Sequence, residues 1–251
     1  MKKRVCMTVQ SVQEIALDTV EMTLHNSYVA KTAMPGQFLH LLVDGHTLRR
    51  PVSIADVEPE NDLITILFKK IGEGTKRLAS YKPDMTIDVL GPSGNGFYYD
   101  VKILKEALLI GGGIGIPPLY NLGKELKRTG INVTAVLGFQ SKEQVFYEKN
   151  FKELGPTYVV TDDGSYGYQG LVTDLLGQVG NFDRYFSCGP IPMLKEVKKE
   201  LSNFPGSISL EERMGCGVGA CLACVIPTDN QGGYRKICKD GPVFAADEVM
   251  L

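Results

Sequence analysis

The run Glu106-Ala107-Leu108-Leu109-Ile110-Gly111-Gly112-Gly113-Ile114-Gly115-Ile116-Pro117-Pro118 joins two kinds of structure within thirteen residues. Residues 106–110 are a short run dominated by apolar side chains, the pattern of a strand buried on both faces of a parallel sheet. Beyond the glycines, Leu119–Lys127 reads as a helix. Gly111, Gly112, Gly113 and Gly115 let the backbone turn tightly and approach a ligand, and the helix N-terminus then offers free N–H groups to an anion such as a pyrophosphate. The paired prolines suit the first helical turn, where an N–H is not needed. The spacing is not a strict G-x-G-x-x-G, and a plain strand-to-helix turn would use the same glycines.

Toward the C-terminus, Ile131–Leu137, Tyr158–Thr161 and Arg184–Ser187 read as strands, with Gly170–Leu176 and Ile191–Leu201 as helical candidates. Strands alternating with helices imply βαβ units and a parallel, doubly wound sheet. Cys188-Gly189-Pro190 follows one of these strands, at the carboxyl end where α/β sheets bind ligands. A thiol there would lie near a nicotinamide ring, or would be a buried cysteine in a turn.

Toward the N-terminus the pattern is different. Val5–Val12, Ala16–Leu24, Gln37–Val43, Leu63–Lys69 and Thr86–Leu90 are β-branched or alternating runs separated by Gly, Pro, Asn and Asp. Thr75–Tyr81 is the one helical stretch expected there. Short strands at this spacing suggest a small closed antiparallel barrel. Two motifs interrupt it. In Leu48-Arg49-Arg50-Pro51-Val52-Ser53, an Arg fork beside a Ser hydroxyl suits the phosphates of a flavin dinucleotide, though a surface basic pair would look alike. In Gly72-Glu73-Gly74-Thr75, Thr75 is expected to cap a helix whose N–H groups face a phosphate, or simply to cap it.

Near the C-terminus, Cys216, Cys221, Cys224 and Cys238 are spaced C-x4-C-x2-C with thirteen residues before the fourth. The first three positions carry the plant-type ferredoxin spacing for a 2Fe-2S cluster. Small residues between them let the backbone wrap closely around iron and aim N–H groups at sulfur. Structural zinc more often pairs two C-x2-4-C knuckles, whereas here three ligands cluster. Disulfides are disfavoured in a reducing compartment. Met1-Lys2-Lys3-Arg4 leads into Val5-Cys6-Met7-Thr8-Val9-Gln10, which alternates like a strand and lacks the apolar core of a secretory leader, so a cytoplasmic location is expected. Cys6 and the three histidines, His25, His40 and His46, are read as structural.

The chain has 251 residues and a net charge of −2, room for two modest domains and a small appendage. No block of like charge points to nucleic acid or a membrane surface, and no apolar stretch approaches the roughly 18 residues of a membrane span.

Arg50-Pro51-Val52-Ser53, the glycine loop and Cys188-Gly189-Pro190 together resemble the ferredoxin reductase-type flavoproteins, although Val52 stands where that family has a tyrosine. With the four cysteines and the ending Lys239-Asp240-Gly241-Pro242-Val243-Phe244, the resemblance narrows to the electron-transfer subunits of type B dihydroorotate dehydrogenases and spans residues 3–244. It implies a FAD-binding β-barrel domain over 1–100, an NAD-binding α/β domain over 101–206 and a 2Fe-2S module over 207–251. It implies FAD contacts at Arg50, Pro51, Val52, Ser53, Leu67, Phe68, Lys69, Gly74 and Thr75. NAD(H) would meet Gly111, Gly112, Gly113, Gly115, Cys188, Gly189 and Pro190, and the cluster would take the four cysteines. The implied partner is an FMN-containing catalytic subunit in a 2+2 heterotetramer of pyrimidine biosynthesis, which holds the base that acts on dihydroorotate. Electrons would run from its FMN through 2Fe-2S and FAD to NAD+. NAD over NADP follows mainly from the resemblance; Lys142 beside Glu143 is a poor 2′-phosphate clamp. A related subunit of a sulfide dehydrogenase or a bifurcating ferredoxin–NADP reductase is the alternative.

Overall fold

The computed structural model describes residues 2–228 and 233–251; residue 1 of the expected barrel domain and residues 229–232 of the expected cluster module lie outside the described residues. Six strands close the first unit: β1 (Lys3–Ala16), β2 (Thr19–His25), β3 (Phe38–Leu42), β4 (Arg50–Glu58), β5 (Leu63–Lys69) and β6 (Thr86–Ser93). Their order around the barrel is β1-β2-β5-β4-β3-β6, with antiparallel neighbours throughout. The period of two drives this closure. Met7 and Val9, Val20, Met22 and Leu24, Ile64, Ile66 and Phe68, and Ile87 and Val89 alternate inward and are buried together. β1 joins both edges, pairing with β6 along its first half and with β2 along its second.

Two short helices sit on this barrel, α1 (Ser27–Thr32) and α2 (Glu73–Ala79). α1 was not expected: six residues are too few to show a helical period, and its start depends on Asn26, whose side chain accepts from Val29 N at 3.0 Å. β4 was not expected as a strand either, because Pro51 and the paired arginines mask its alternation.

The second unit contains β7 (Glu106–Gly112), α3 (Ile116–Arg128), β8 (Asn132–Phe139), α4 (Glu148–Leu154), β9 (Thr157–Thr161), β10 (Tyr168–Gln169), β11 (Arg184–Cys188), α5 (Ile191–Glu200) and β12 (Gly206–Ser209). After β12 the chain leaves on the cysteine loop, forms the hairpin β13 (Val225–Pro227) and β14 (Tyr234–Lys236), turns through α6 (Ile237–Asp240), and returns as β15 (Val243–Ala245). The sheet order is β10-β9-β8-β7-β11-β12-β15, parallel except for β15, which runs antiparallel to β12. β12 and β15, strands of four and three residues, carry too little pattern to be read from sequence, so the expected boundary at 206/207 falls inside this sheet. The helix expected over 170–176 is a single 3-10 turn, Val172–Leu175, in which the Asp174 carboxylate accepts from Leu171 N at 2.7 Å.

From β7 the chain winds one way through β8 and β9, and the other way through β11 and β12. The switch point is therefore between β7 and β11, and doubly wound sheets hold ligands at the carboxyl ends of the strands there. Both Gly111–Gly115 and Cys188–Pro190 emerge at this point. The barrel is fixed against it by Lys124, paired with Asp56 at 2.6 Å, and by the Tyr147 hydroxyl, which donates to Glu21 at 2.5 Å.

Candidate functional site

Two cavities open between the barrel and the sheet and meet one another. The first, about 400 Å³, is walled by Arg50, Pro51, Val52 and Ser53 of β4, by Leu67, Phe68 and Lys69 of β5, and by Thr75. Its far wall is Leu210–Met214 with Pro242, from the two ends of the cysteine loop. Val52 occupies the wall where an aromatic was expected by family pattern. The Arg50 guanidinium donates to Leu48 O at 2.6 Å and lies 3.3 Å from His46 Nδ1. Gly74 makes room for it: a Cβ there would fall 2.6 Å from Arg50 Nε, so Gly74 acts through Arg50 and is not itself in the wall. Gly72 is the N-cap of α2, and Thr75 reaches back from the third helical position, accepting from Ile71 N at 3.1 Å and Gly72 N at 3.2 Å. Thr75 thus supports the cap from inside the helix, a correction to its expected position as the cap.

The second cavity, about 570 Å³, lies over the switch point. Gly112, Gly113 and Gly115 line it on one side, and Gly189 and Pro190 on the other. Pro117 and Pro118 lie in the first turn of α3, as their missing N–H groups require. A Cβ on Gly115 would fall 2.5 Å from the Cys188 carbonyl carbon, so only glycine lets these two turns approach. Gly111 and Cys188 stand behind the wall rather than in it. Gly111 packs under Ile116, and Cys188 is fully buried, where desolvation pushes its thiol well above the ordinary range.

Lys69, Ile114 and Glu211 border both cavities. Glu211 accepts a hydrogen bond from Ser53 Oγ at 3.2 Å. Desolvation in the cleft pushes its carboxyl up to about 7, with the Ser53 hydroxyl acting in the opposite direction. Sequence reasoning missed this residue because no local motif marks it; it follows the short strand β12 and meets Ser53 only through the fold.

The cysteine loop carries its own order. Cys216 N donates to Cys221 Sγ at 3.5 Å and Cys221 N to Cys216 Sγ at 3.3 Å, a reciprocal pair. Cys238 N donates to Cys224 Sγ at 3.4 Å, and Gly219 N to Cys238 Sγ at 3.2 Å. Burial opposes ionisation of Cys216, but the N–H donors of Cys221 and Val218 outweigh it and bring its thiol down to about 6. Burial and the neighbouring Cys224 push Cys238 up to about 12. Among the described residues no three His, Cys, Asp or Glu side chains are gathered closely enough to hold one metal ion between them. The thiols lie as two pairs, with backbone N–H groups aimed at sulfur. That donor set fits two metal centres, each taking two thiolates, better than one tetrahedral zinc. Gly217 (φ +65) and Gly219 (φ +81) provide the left-handed turns of the loop. Lys2 Nζ and Lys236 Nζ hold their carbonyls, each at 2.7 Å. Asn95 N donates to Gly241 O at 2.7 Å and Asn95 Nδ2 to Asp240 O at 2.8 Å, tying the loop's end to the barrel.

The comparisons agree with this geometry. Residues 211–250 match the model of the iron–sulfur cluster binding domain of dihydroorotate dehydrogenase B. The dihydroorotate dehydrogenase B (NAD(+)) electron transfer subunit of Shouchella clausii is 49% identical over 100% of this chain and 99% of its own length. That of Fusobacterium nucleatum is 47% identical with 100% of both chains covered. The solved structure of an NADH-dependent reduced ferredoxin–NADP oxidoreductase superposes with a TM-score of 0.89 at 32% identity, covering 100% of this chain and 91% of that one. Among the described residues no helix is long and apolar enough to cross a membrane. Full-length identity near one half, joined to a barrel, a switch-point cleft and a paired-cysteine loop, establishes that the chain belongs to the family of electron transfer subunits of dihydroorotate dehydrogenase B (NAD(+)).

Proposed function

We propose that this chain forms the NAD(H)-side half of a dihydroorotate-oxidising complex in pyrimidine biosynthesis, in the cytoplasm, paired 2+2 with an FMN-holding catalytic subunit. The observation that carries this reading is the shared wall: Met214 and Pro242 belong both to the cysteine loop and to the first cavity, while Lys69, Ile114 and Glu211 belong to both cavities. Three sites are thereby in series. When bound, the 2Fe-2S cluster supplies single-electron transfer, and FAD exchanges single electrons for the hydride that NAD(H) carries.

The residues divide the work. Cys216, Cys221, Cys224 and Cys238 would hold the cluster, the first two as one pair of thiolates and the last two as the other. Arg50 and Ser53 bind the flavin dinucleotide, with Pro51, Val52, Leu67, Phe68 and Lys69 as its apolar and aliphatic walls and Gly74 and Thr75 shaping the helix start beside Arg50. Gly112, Gly113 and Gly115 admit the pyrophosphate of NAD(H) to the N-terminus of α3; Gly189 and Pro190 face them, while Gly111 and Cys188 support the two turns from beneath. Glu211 and Ser53 stand where flavin and nicotinamide meet.

A related role beside a sulfide-oxidising or ferredoxin-linked partner is the rival, and the 32% identity to the reduced ferredoxin–NADP oxidoreductase against 49% to the dihydroorotate dehydrogenase subunit argues against it. The test is reconstitution. Purified chain is expected to show flavin and iron–sulfur absorbance, to oxidise NADH with an artificial acceptor, and to have no dihydroorotate activity until the catalytic subunit is added. A colourless protein holding stoichiometric zinc, or dihydroorotate oxidation by this chain alone, would defeat the reading.

A further inference from the structure

The barrel contributes to the cysteine loop one side chain that the electron path above does not use. His40, on β3, is fully buried, and neither ring nitrogen has a hydrogen-bond partner among the described residues. Buried polar atoms without partners are rare in folded proteins, and each calls for a physical explanation. The ring faces the first turn of the cysteine loop, since a Cβ on Gly217 would fall 2.2 Å from His40 Nδ1. The neighbouring sulfur, Cys216 Sγ, accepts from Val218 N at 3.4 Å across that same turn. The ring also meets Phe38 edge-on with centroids 6.4 Å apart, and Phe38 lines the first cavity. His40 therefore stands between that cavity and the sulfur loop.

Desolvation, and after it the nearby Arg49 guanidinium, push the His40 ring down to about 4, while the Arg49 backbone beside the ring acts in the opposite direction without making a hydrogen bond of ordinary geometry. The imidazole is then neutral, with one N–H to give and one lone pair. A second barrel group converges on the same glycine. Lys2 Nζ donates to Gly217 O at 2.7 Å, which places its ammonium beside the loop; burial pushes that ammonium down, and the nearby sulfurs of Cys238, Cys216 and Cys224 act in the opposite direction. Hydrogen bonds to cluster sulfur and nearby positive charge stabilise the reduced, more negative form and raise a cluster's potential.

We propose that His40 is a positioning residue of the iron–sulfur site: its ring N–H donates into the sulfur cage beside Gly217 and, with the Lys2 ammonium, holds the cluster's reduction potential up. This rests on the reading of the cysteine loop as a 2Fe-2S site.

The experiment is an EPR-monitored redox titration of the cluster in the full complex. His40→Leu is expected to shift the reduction equilibrium about tenfold toward the oxidised form, ~59 mV for one electron. His40→Gln, which keeps an N–H donor, should retain most of the wild-type potential. Lys2→Gln should move it in the same direction as His40→Leu, by an amount that shrinks at high salt. A wild-type potential in His40→Leu would overturn the proposal. A second measurement does not depend on the variants loading their cluster. Wild-type complex made with ring-15N histidine should show a weak 15N coupling to the reduced cluster in pulsed EPR, lost in His40→Gln. No such coupling in cluster-loaded wild type overturns the role of His40 alone, whereas a chain that binds no iron and sulfide overturns the cluster reading with it.

Discussion

Glu211, where the two cavities meet, carries a pH signature. Its carboxyl is pushed up to about 7 by desolvation, against the hydrogen bond from Ser53. It is protonated below that pH and ionised above it. NADH that gives up hydride becomes a cation, which an ionised carboxylate at the meeting of the two cavities would favour. NADH oxidation with an artificial acceptor should therefore rise as pH increases through about 7, and Glu211→Gln should flatten that rise and lower kcat/KM above it on the order of tenfold, the equivalent of ~1.4 kcal/mol. The stability sign is opposite. A folded pKa raised from 4.5 to about 7 stabilises the fold most below the ordinary carboxylate range and loses that contribution as pH climbs through about 7, by a small amount because the side chain is exposed at the open cleft. Denaturant midpoints of wild type and Glu211→Gln across this range check it. The glycines give a sharper contrast at the same scale. At Gly115 an added methyl would meet the Cys188 and Gly189 backbone at 2.5–2.6 Å, which cannot swing aside, whereas at Gly113 it meets nothing within 4 Å and only the φ of +52 resists it. Gly115→Ala should cost about 1–3 kcal/mol and raise KM for NADH strongly; Gly113→Ala should do less on both counts.

The cysteine loop is an element in its own right, held at both ends by strands of the sheet. β12 precedes it, β15 follows it, and Leu210 N donates to Pro242 O at 3.0 Å to close its neck. Because that neck does not depend on the cysteines, Cys221→Ser should lose the iron–sulfur absorbance while keeping FAD. NADH oxidation by an artificial two-electron acceptor should survive, and transfer to the catalytic subunit should fail; orotate-linked turnover in that variant would rule out the proposed route. Much of this was legible in the sequence, because the information is local. Cysteine spacing, the apolar run before Gly111, and the alternation of β2 and β5 each need only neighbouring residues to be read. What was illegible depends on distant contacts. β12 is a strand because it pairs with β11 and β15, and β15 because it pairs with β12; Glu211, His40 and Lys2 become part of a site only when the barrel folds onto the sheet. α4 hides for another reason: Tyr147 before it adopts φ +59, so neither a capping side chain nor a helical period announces it.

At the scale of the whole molecule, the two cavities face inward between barrel and sheet, while the cysteine loop turns an apolar face outward. Val218, Leu222 and Val225 are 46%, 62% and 41% exposed, and they flank Cys216, Cys221 and Cys224 in the chain. Exposed large apolar side chains so near the cysteines in the chain suit a contact site, and that nearness has a physical logic. Electron tunnelling falls steeply with distance, so a partner's flavin must come close to the cluster, and the loop surface offers that approach without opening either cavity. The catalytic subunit is therefore expected to dock over Leu222. Replacing this side chain with a charge should weaken the complex by about 2 kcal/mol, roughly thirtyfold in Kd, because a carboxylate would be desolvated in the contact. Leu222 lies on the outer face and is the most exposed of the three, so Leu222→Asp should leave flavin and cluster spectra, and NADH oxidation by an artificial acceptor, as in wild type. Sedimentation of the mixed subunits measures the loss of assembly, and stopped-flow reduction of the cluster by dihydroorotate-reduced partner measures the loss of transfer. Assembly at wild-type affinity would move the docking face elsewhere; normal assembly with slowed transfer would keep the partner in place and assign Leu222 to the closeness of the contact.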